Sequence, residues 1–233
     1  MNIKEKYVYP VKVTENFDNA NFHIKYCLSF IKKYLFGNIL EIGAGCGSFA
    51  RNYLTDKIKF LTLTEKDKNN INKLNQKFSK IKNIKIKNHN INKIKDRFNI
   101  ILYLHVLEHI KNDRLEITKA TNKLKKDGNL IIMVPAHQKM YSNLDKSVGH
   151  YRRYNIEFFQ QKFNSLKLID LRYLDSTGYL LYYLNKIFFK KEKFPSKAKI
   201  LIWDKLFTPL SIIIDYVLRY RVGKCILAIY KKS

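Results

Sequence analysis

Cysteine, proline and tryptophan are scarce in this 233-residue chain, at three, four and one residues respectively. Cys27, Cys46 and Cys225 stand far apart with no C-x-x-C pair, which argues against a zinc cage or a disulfide framework and fits a reducing, cytoplasmic compartment. Long apolar runs are lacking too. The stretches near the C-terminus are cut by Asn185, Lys186, Asp204, Lys205, Pro209 and Asp215, so none offers the ~20 apolar residues of a spanning helix. The start, Met1 to Lys6, is charged and no apolar h-region follows it, against a secretory signal. There is no internal repeat and no low-complexity linker, and the length suits one sizeable core, so a single domain is expected over 1–233.

Acidic residues are also few: 19 against 45 basic ones, a net charge of +26. Such a field attracts nucleic acid or anionic lipid. Lysine far outnumbers arginine, however, and Asn, Ile, Tyr and Phe are abundant, as an AT-rich coding sequence produces without selection for any partner. The lysines are scattered and no RNA-stacking motif interleaves them, which leaves nucleic acid a disfavoured partner.

What is present is an alternation of short β-rich runs with helical patterns, the mark of βαβ units and a parallel sheet. Residues 38–42, 60–64, 84–88, 98–103 and 129–134 read as strands. Helices are expected over 20–35, 48–55, 67–79 and 113–126, the last closing at Asp127-Gly128. A polar-aromatic connection over 135–153, a helix over 155–164 and strands over 166–173 and 224–230 complete the pattern. Between the last two strands, 175–223 reads as an insertion with helical segments at 179–189, 197–207 and 210–219.

The segment ILEIGAGCGSFA, residues 39–50, carries the strongest signal: an apolar strand ends, then Gly43, Gly45 and Gly47 alternate before a helix. Glycine is required where backbone approaches a ligand or takes positive φ, and a helix N-terminus beyond it completes a nucleotide-like cofactor site. Gly45-x-Gly47-x-x-Ala50 also satisfies the relaxed dinucleotide fingerprint. Glu41, two residues before the first glycine, would repel a pyrophosphate and suits a ligand bearing an ammonium or sulfonium. Glu65 ends the next strand, about twenty residues on, where an acid accepts hydrogen bonds from ribose hydroxyls.

These residues resemble class I S-adenosylmethionine-dependent methyltransferases, whose first motif is an acid followed by alternate glycines. Glu41, Gly43, Gly45 and Gly47 match it, Glu65 matches the ribose-binding acid, YLHVLEHI (103–110) is similar to the segment after the fourth strand, and LKKDGNLIIMVP (124–135) to the lead into the fifth. The resemblance implies a Rossmann-like, doubly wound α/β sheet of seven strands with the last antiparallel, 175–223 as a helical cap, and S-adenosylmethionine as cofactor. It implies cofactor contacts from Glu41, Gly43, Ala44, Gly45, Gly47, Glu65, Lys66, Asn90, Ile91, Leu104 and His109. Two departures are Asn90 and Asn99, where family members commonly carry Asp.

Methyl transfer needs an aligned acceptor and, for a hydroxyl, a base. The loop after the fifth strand holds His137, Tyr141, Asp145 and the run Gly149-His150-Tyr151-Arg152-Arg153-Tyr154. The run is similar to one in a group of bacterial methyltransferases, some linked to glycan or glycolipid pathways. His150 is the expected base with Asp145. His105, His137, Tyr141, Tyr151, Arg152 and Arg153 are expected substrate contacts, the arginines as forks for an anionic group. An alternative has Asp145 salt-bridging one arginine merely to hold the loop. His105 and His109 lack the H-E-x-x-H order, so no metal is expected.

The expected acceptor is a small molecule or a glycan- or lipid-linked, anionic compound. An RNA methyltransferase, a NAD-dependent oxidoreductase and a catalytically silent subunit stay as rivals. The insertion, with Phe188-Phe189-Lys190-Lys191 and Trp203-Asp204-Lys205, reads as a packed lid or dimer contact ahead of peripheral contact with an anionic bilayer.

Overall fold

The computed structural model describes residues 20–188 and 196–233. The readings at Met1 to Lys6 and at Phe189 to Lys191 lie outside the described residues. Seven strands form one sheet: β1 (Gly37–Ile42), β2 (Ile58–Thr64), β3 (Ile84–Lys87), β4 (Phe98–Leu104), β5 (Leu124–Pro135), β6 (Leu166–Leu174) and β7 (Cys225–Lys232), in the order β3-β2-β1-β4-β5-β7-β6. β1 to β5 pair in parallel, and β7 runs antiparallel to both β5 and β6. The fold is a Rossmann-like doubly wound sheet. The chain winds outward from β1 to β3 and returns at β4, so the crevice where ligands settle in such sheets opens at the carboxyl ends of β1 and β4.

Near-continuous apolar strands are what a sheet covered on both faces demands. One face buries Ile39, Leu63, Leu102 and Met133 against Leu28 and Ile31 of α1 (Asn21–Ile31) and Leu74 and Phe78 of α3 (Lys68–Phe78). The other buries Leu40, Ile101, Ile132 and Ala228 against Ile117 and Ala120 of α4 (Asp113–Lys123), with Phe159 and Phe163. α3 starts where Asp67 accepts the Asn70 N–H, as an N-cap should.

Three local expectations are corrected. The helix expected over 48–55 is one turn, α2 (Ala50–Tyr53), because Gly47 and its neighbours are taken up by the glycine turn. The helix expected to reach residue 126 stops at Lys123: Leu124 pairs with Phe98 and is fully buried, and Asp127, at φ 61, forms an irregularity within β5 where Gly128 admits the Asn99 carbonyl. The helix expected over 155–164 shrinks to α6 (Glu157–Gln160), preceded by the short α5 (Asn143–Ser147); Phe159 within α6 packs against Tyr154, and Phe163 beyond it packs against Tyr230.

Between β6 and β7 the chain forms α7 (Ser176–Phe188), α8 (Lys197–Ile202), a wider π-type turn (Trp203–Phe207) and α9 (Thr208–Val217). Aspartates fasten these helices to the body. The Asp204 carboxylate accepts the N–H groups of Phe22 and His23 at 3.1 and 2.8 Å, capping α1 from far along the chain. Asp215 accepts the Tyr26 hydroxyl and the N–H groups of Asp175 and Ser176 at the start of α7. Among the described residues no helix is long and apolar enough to cross a membrane.

Candidate active site

The glycine turn follows β1 directly. Gly43, Gly45 and Gly47 all have positive φ, at 67, 56 and 83°. A Cβ on Gly43 would strike Val106, and one on Gly47 would strike Phe78 and Leu74, so those two positions serve packing. A Cβ on Gly45 would meet nothing within 4 Å: it would project into open space at the mouth of the crevice. Glu65 leans over the same bend. One of its oxygens accepts the Gly45 N–H at 2.8 Å, the other the N–H groups of Lys66 and Asp67 at 2.7 and 2.9 Å. Ala44 anchors the turn by donating its N–H to the Thr64 carbonyl.

Glu41, the acid expected to meet a cationic part of the ligand, lies under the bend. It is 2% exposed beneath the turn and accepts the Tyr53 hydroxyl. Burial pushes its carboxyl up to about 7, against the hydrogen bond from Tyr53. Asn90 is exposed beyond β3, with Ile91 fully buried behind it, and Leu104 is buried at the end of β4. Lys66 is exposed. Asn99 lies at the opposite end of β4, where its side-chain oxygen accepts the Asn38 N–H, so its departure from Asp touches strand pairing rather than the cofactor.

Beyond β4 and β5 a second cluster assembles. His105, at φ 58, leads into a short 3₁₀ turn, Leu107–His109, and its ring lies 6.3 Å from that of Phe49 beside the glycine turn. His109 stands edge-to-face against His150, centroids 4.6 Å apart. Burial, with the neighbouring His23, His150 and His109, drives His105 down to about 3, and burial with His150 drives His109 to about 4, so both rings are neutral at pH 7.

Asp145 is the hub of the loop after β5. It is buried and closes a capping box with Ser142 at the start of α5, and it accepts His150 Nδ1–H at 2.8 Å and Arg153 Nε–H at 2.8 Å. Burial alone would raise its carboxyl, but the bonds from His150, Arg153 and Ser142 hold it well below the usual carboxylate range. With Nδ1 committed to a carboxylate, Nε2 is the ring nitrogen His150 has left for another partner. That nitrogen lies 3.9 Å from Oε1 of Glu108, which is also 3.9 Å from His105 Nδ1.

Glu108 is absent from the sequence-based expectations, although YLHVLEHI contains it. It is 1% exposed, its Oε2 has no hydrogen-bond partner, and burial pushes it up to about 8. The signal available was only that an acid lay between two histidines.

The expected arginine pair does not act as a joint fork. Arg152 pairs with Asp113 and donates to the Lys111 carbonyl, whereas Arg153 is buried on Asp145 with its Nη1 unpartnered. Adjacent residues on extended backbone point to opposite sides, which separates them. Tyr141 donates to the His150 carbonyl and Tyr151 is exposed. His137, at φ 62, donates from Nε2 to the Gly223 carbonyl and stacks on Tyr173 at 5.0 Å. The structure thus gathers His105, His109, His150, Asp145 and Arg153 and sets Arg152 and His137 to holding the surrounding chain.

Solved structures share this architecture. The N-methyltransferase NodS from Bradyrhizobium japonicum WM9, crystallised with S-adenosyl-L-homocysteine, superposes with a TM-score of 0.60 at 15% identity over 96% of this chain and 92% of that one. Coclaurine N-methyltransferase, bound to N-methylheliamine and S-adenosyl-L-homocysteine, gives 0.67 at 12% identity over 98% and 81%. An S-adenosylmethionine-dependent methyltransferase from Clostridium acetobutylicum ATCC 824 gives 0.55 at 15% identity over 93% and 91%. No curated protein matches the chain in sequence. The family described as "Methyltransferase domain" matches residues 20–174, from the start of α1 through β6. With that span covering well over half of its length, the chain belongs to the methyltransferase domain family and is an enzyme.

Proposed function

We propose that this enzyme takes its methyl group from S-adenosylmethionine and passes it to a hydroxyl or amine of a small molecule or a glycan- or lipid-linked acceptor. The observation that carries the cofactor assignment is the open space over Gly45 beside the Glu65 carboxylate: a cradle that any side chain would fill, next to an acceptor pair for ribose hydroxyls. Gly43, Ala44 and Gly47 shape the bend, while Asn90, Ile91 and Leu104 lie at the neighbouring strand ends. The single turn of α2 adds little helix dipole for a pyrophosphate, which favours an adenosyl cofactor over a dinucleotide. Glu41, poised about 7 beneath the bend, supplies negative charge that a cationic ligand stabilises.

Bound S-adenosylmethionine supplies an already activated methyl group, so the chain's own task is to orient the acceptor and take its proton. Asp145 holds the His150 ring with Nε2 free, and Nε2 is the expected proton acceptor. Oε1 of Glu108 stands 3.9 Å from both His105 Nδ1 and His150 Nε2, too far for a direct hydrogen bond to either. Arg153 Nη1 is the one of the two arginine forks left to meet an anionic substituent.

Calorimetric titration with S-adenosylmethionine, S-adenosylhomocysteine and NAD tests the reading. Heat with the first two and none with NAD is expected. Heat with NAD alone establishes an oxidoreductase instead, and methylation directed to RNA with strongly salt-dependent affinity establishes a nucleic-acid enzyme.

A further inference from the structure

α8, the π-type turn and α9 form one helical run from Lys197 to Val217, and its amphipathicity is inverted. The side turned toward the body carries Asp204, Thr208, Ser211 and Asp215, all buried. Each is hydrogen-bonded: Asp204 to α1, Thr208 to the Trp203 carbonyl, Ser211 to Asp175, and Asp215 to Tyr26. The side turned outward carries Ile202, Leu206, Leu210, Ile213 and Val217, spaced by three and four residues so that they line one stripe. Leu206 is 64% exposed, Ile213 63% and Val217 70%, with Tyr216 beside them at 73%. A helix at a water-facing surface does the reverse, sinking its aliphatic side and showing its polar one. A contiguous apolar stripe of this kind marks a contact surface.

Charge identifies what the surface contacts. The only acids between residues 197 and 222 are Asp204 and Asp215, both buried. The exposed ionic groups along and just beyond the stripe are all basic: Lys197, Lys199, Lys205, Arg219 and Arg221. A second copy of the chain would set two such basic rims, each on a chain of net charge +26, against one another.

We propose that this face docks on an anionic phospholipid bilayer, with the stripe at the headgroup–acyl boundary and the lysines and arginines reaching the phosphates. The docking does not rest on the cofactor reading. The stripe belongs to the same insertion whose Tyr182 ring lies under the Arg153 guanidinium, 5.9 Å away, so the bilayer face and the candidate site share one structural unit.

Vesicle flotation of the full chain tests the proposal. The protein is expected to float with phosphatidylglycerol-containing vesicles, about tenfold more weakly with pure phosphatidylcholine, and to be released as salt is raised. The double variant Leu206→Asp with Ile213→Asp is expected to bind about tenfold less or worse while keeping the circular dichroism and melting transition of the parent. A milder pair, Ile213→Ser with Tyr216→Ser, covers the case in which the aspartates disturb folding. Absence of flotation with anionic vesicles overturns the proposal, as does undiminished binding by folded stripe variants. A parent dimer that the stripe variants dissociate, with no lipid bound, assigns the face to a second copy and equally overturns it.

Discussion

Replacing Glu108 by Gln is expected to stabilise the folded chain at alkaline pH, and the gain is expected to grow with pH. Glu108 is fully enclosed, one carboxyl oxygen has no partner, and burial lifts it from 4.5 to about 8. An acid raised in this way holds a proton in the folded chain that the unfolded chain has already released. Folding therefore loses stability as pH climbs from 4.5 to about 8, and below 4.5, where both states are protonated, the loss is absent. At about 1.4 kcal/mol for each pH unit in that window the ceiling is about 5 kcal/mol. Side-chain rearrangement and water entry reduce it, which sets the expected gain at about 2–5 kcal/mol by pH 9.

The glutamine amide is uncharged throughout, has nearly the same shape, and can donate toward His150 or His105. Urea unfolding of both proteins at pH 5, 6, 7, 8 and 9 and fixed ionic strength measures the difference. Glu41 shifts in the same direction, but it is common to both chains and cancels. A difference that stays flat across the range, or a variant that becomes relatively less stable as pH rises, refutes the argument that Glu108 is a desolvated acid.

Two other substitutions separate cofactor space from scaffold. Gly45→Val places a branched side chain into the open volume over the bend at φ 56, and is expected to lower S-adenosylhomocysteine affinity by about tenfold or more while costing about 1–2 kcal/mol of stability; unchanged affinity by calorimetry counts against the cofactor site. Asp204→Ala removes the cap on the Phe22 and His23 N–H groups and is expected to destabilise the chain by about 1–2 kcal/mol in thermal unfolding, with no effect on cofactor affinity.

Those parts of the fold that depend on local pattern were legible in the chain. The strands β1 to β4 are runs of β-branched and leucine residues closed by polar ones, and their predicted bounds fall within two residues of the observed ends. The insertion helices were legible for the same reason. The failures came where a distant partner decides. Nothing near Leu124 announces that it will pair with Phe98 and end α4 early, and Asp127-Gly128, a helix stop by local chemistry, serves as a strand irregularity because Asn99 approaches it. The sequence pattern likewise marks 197–207 and 210–219 as apolar helical segments but cannot say which way their apolar side faces. That direction is set by α1, whose free N–H groups and Tyr26 hydroxyl recruit Asp204 and Asp215 inward.

The candidate site divides along the same line. Gly43, Gly45, Gly47 and Glu65 were readable because a tight bend and its neighbouring acid leave a local trace. A bridge from Asp145 to one arginine was readable as an alternative, but which arginine makes it depends on the partners the folded loop offers: Arg152 goes to Asp113, and Arg153 shares Asp145 with His150. The groups left unsatisfied are the more telling. A buried polar atom without a partner costs about 1–3 kcal/mol, and folded chains keep few of them. Oε2 of Glu108 and Nη1 of Arg153 are two such atoms, and they belong to the two residues flanking the Asp145–His150 pair, one through its carboxylate 3.9 Å from His150 and the other through Asp145 itself. A ligand that donates to the first and accepts from the second would recover both costs on binding. That compensation makes the neighbourhood of His150 the place to test for the proposed methyl acceptor.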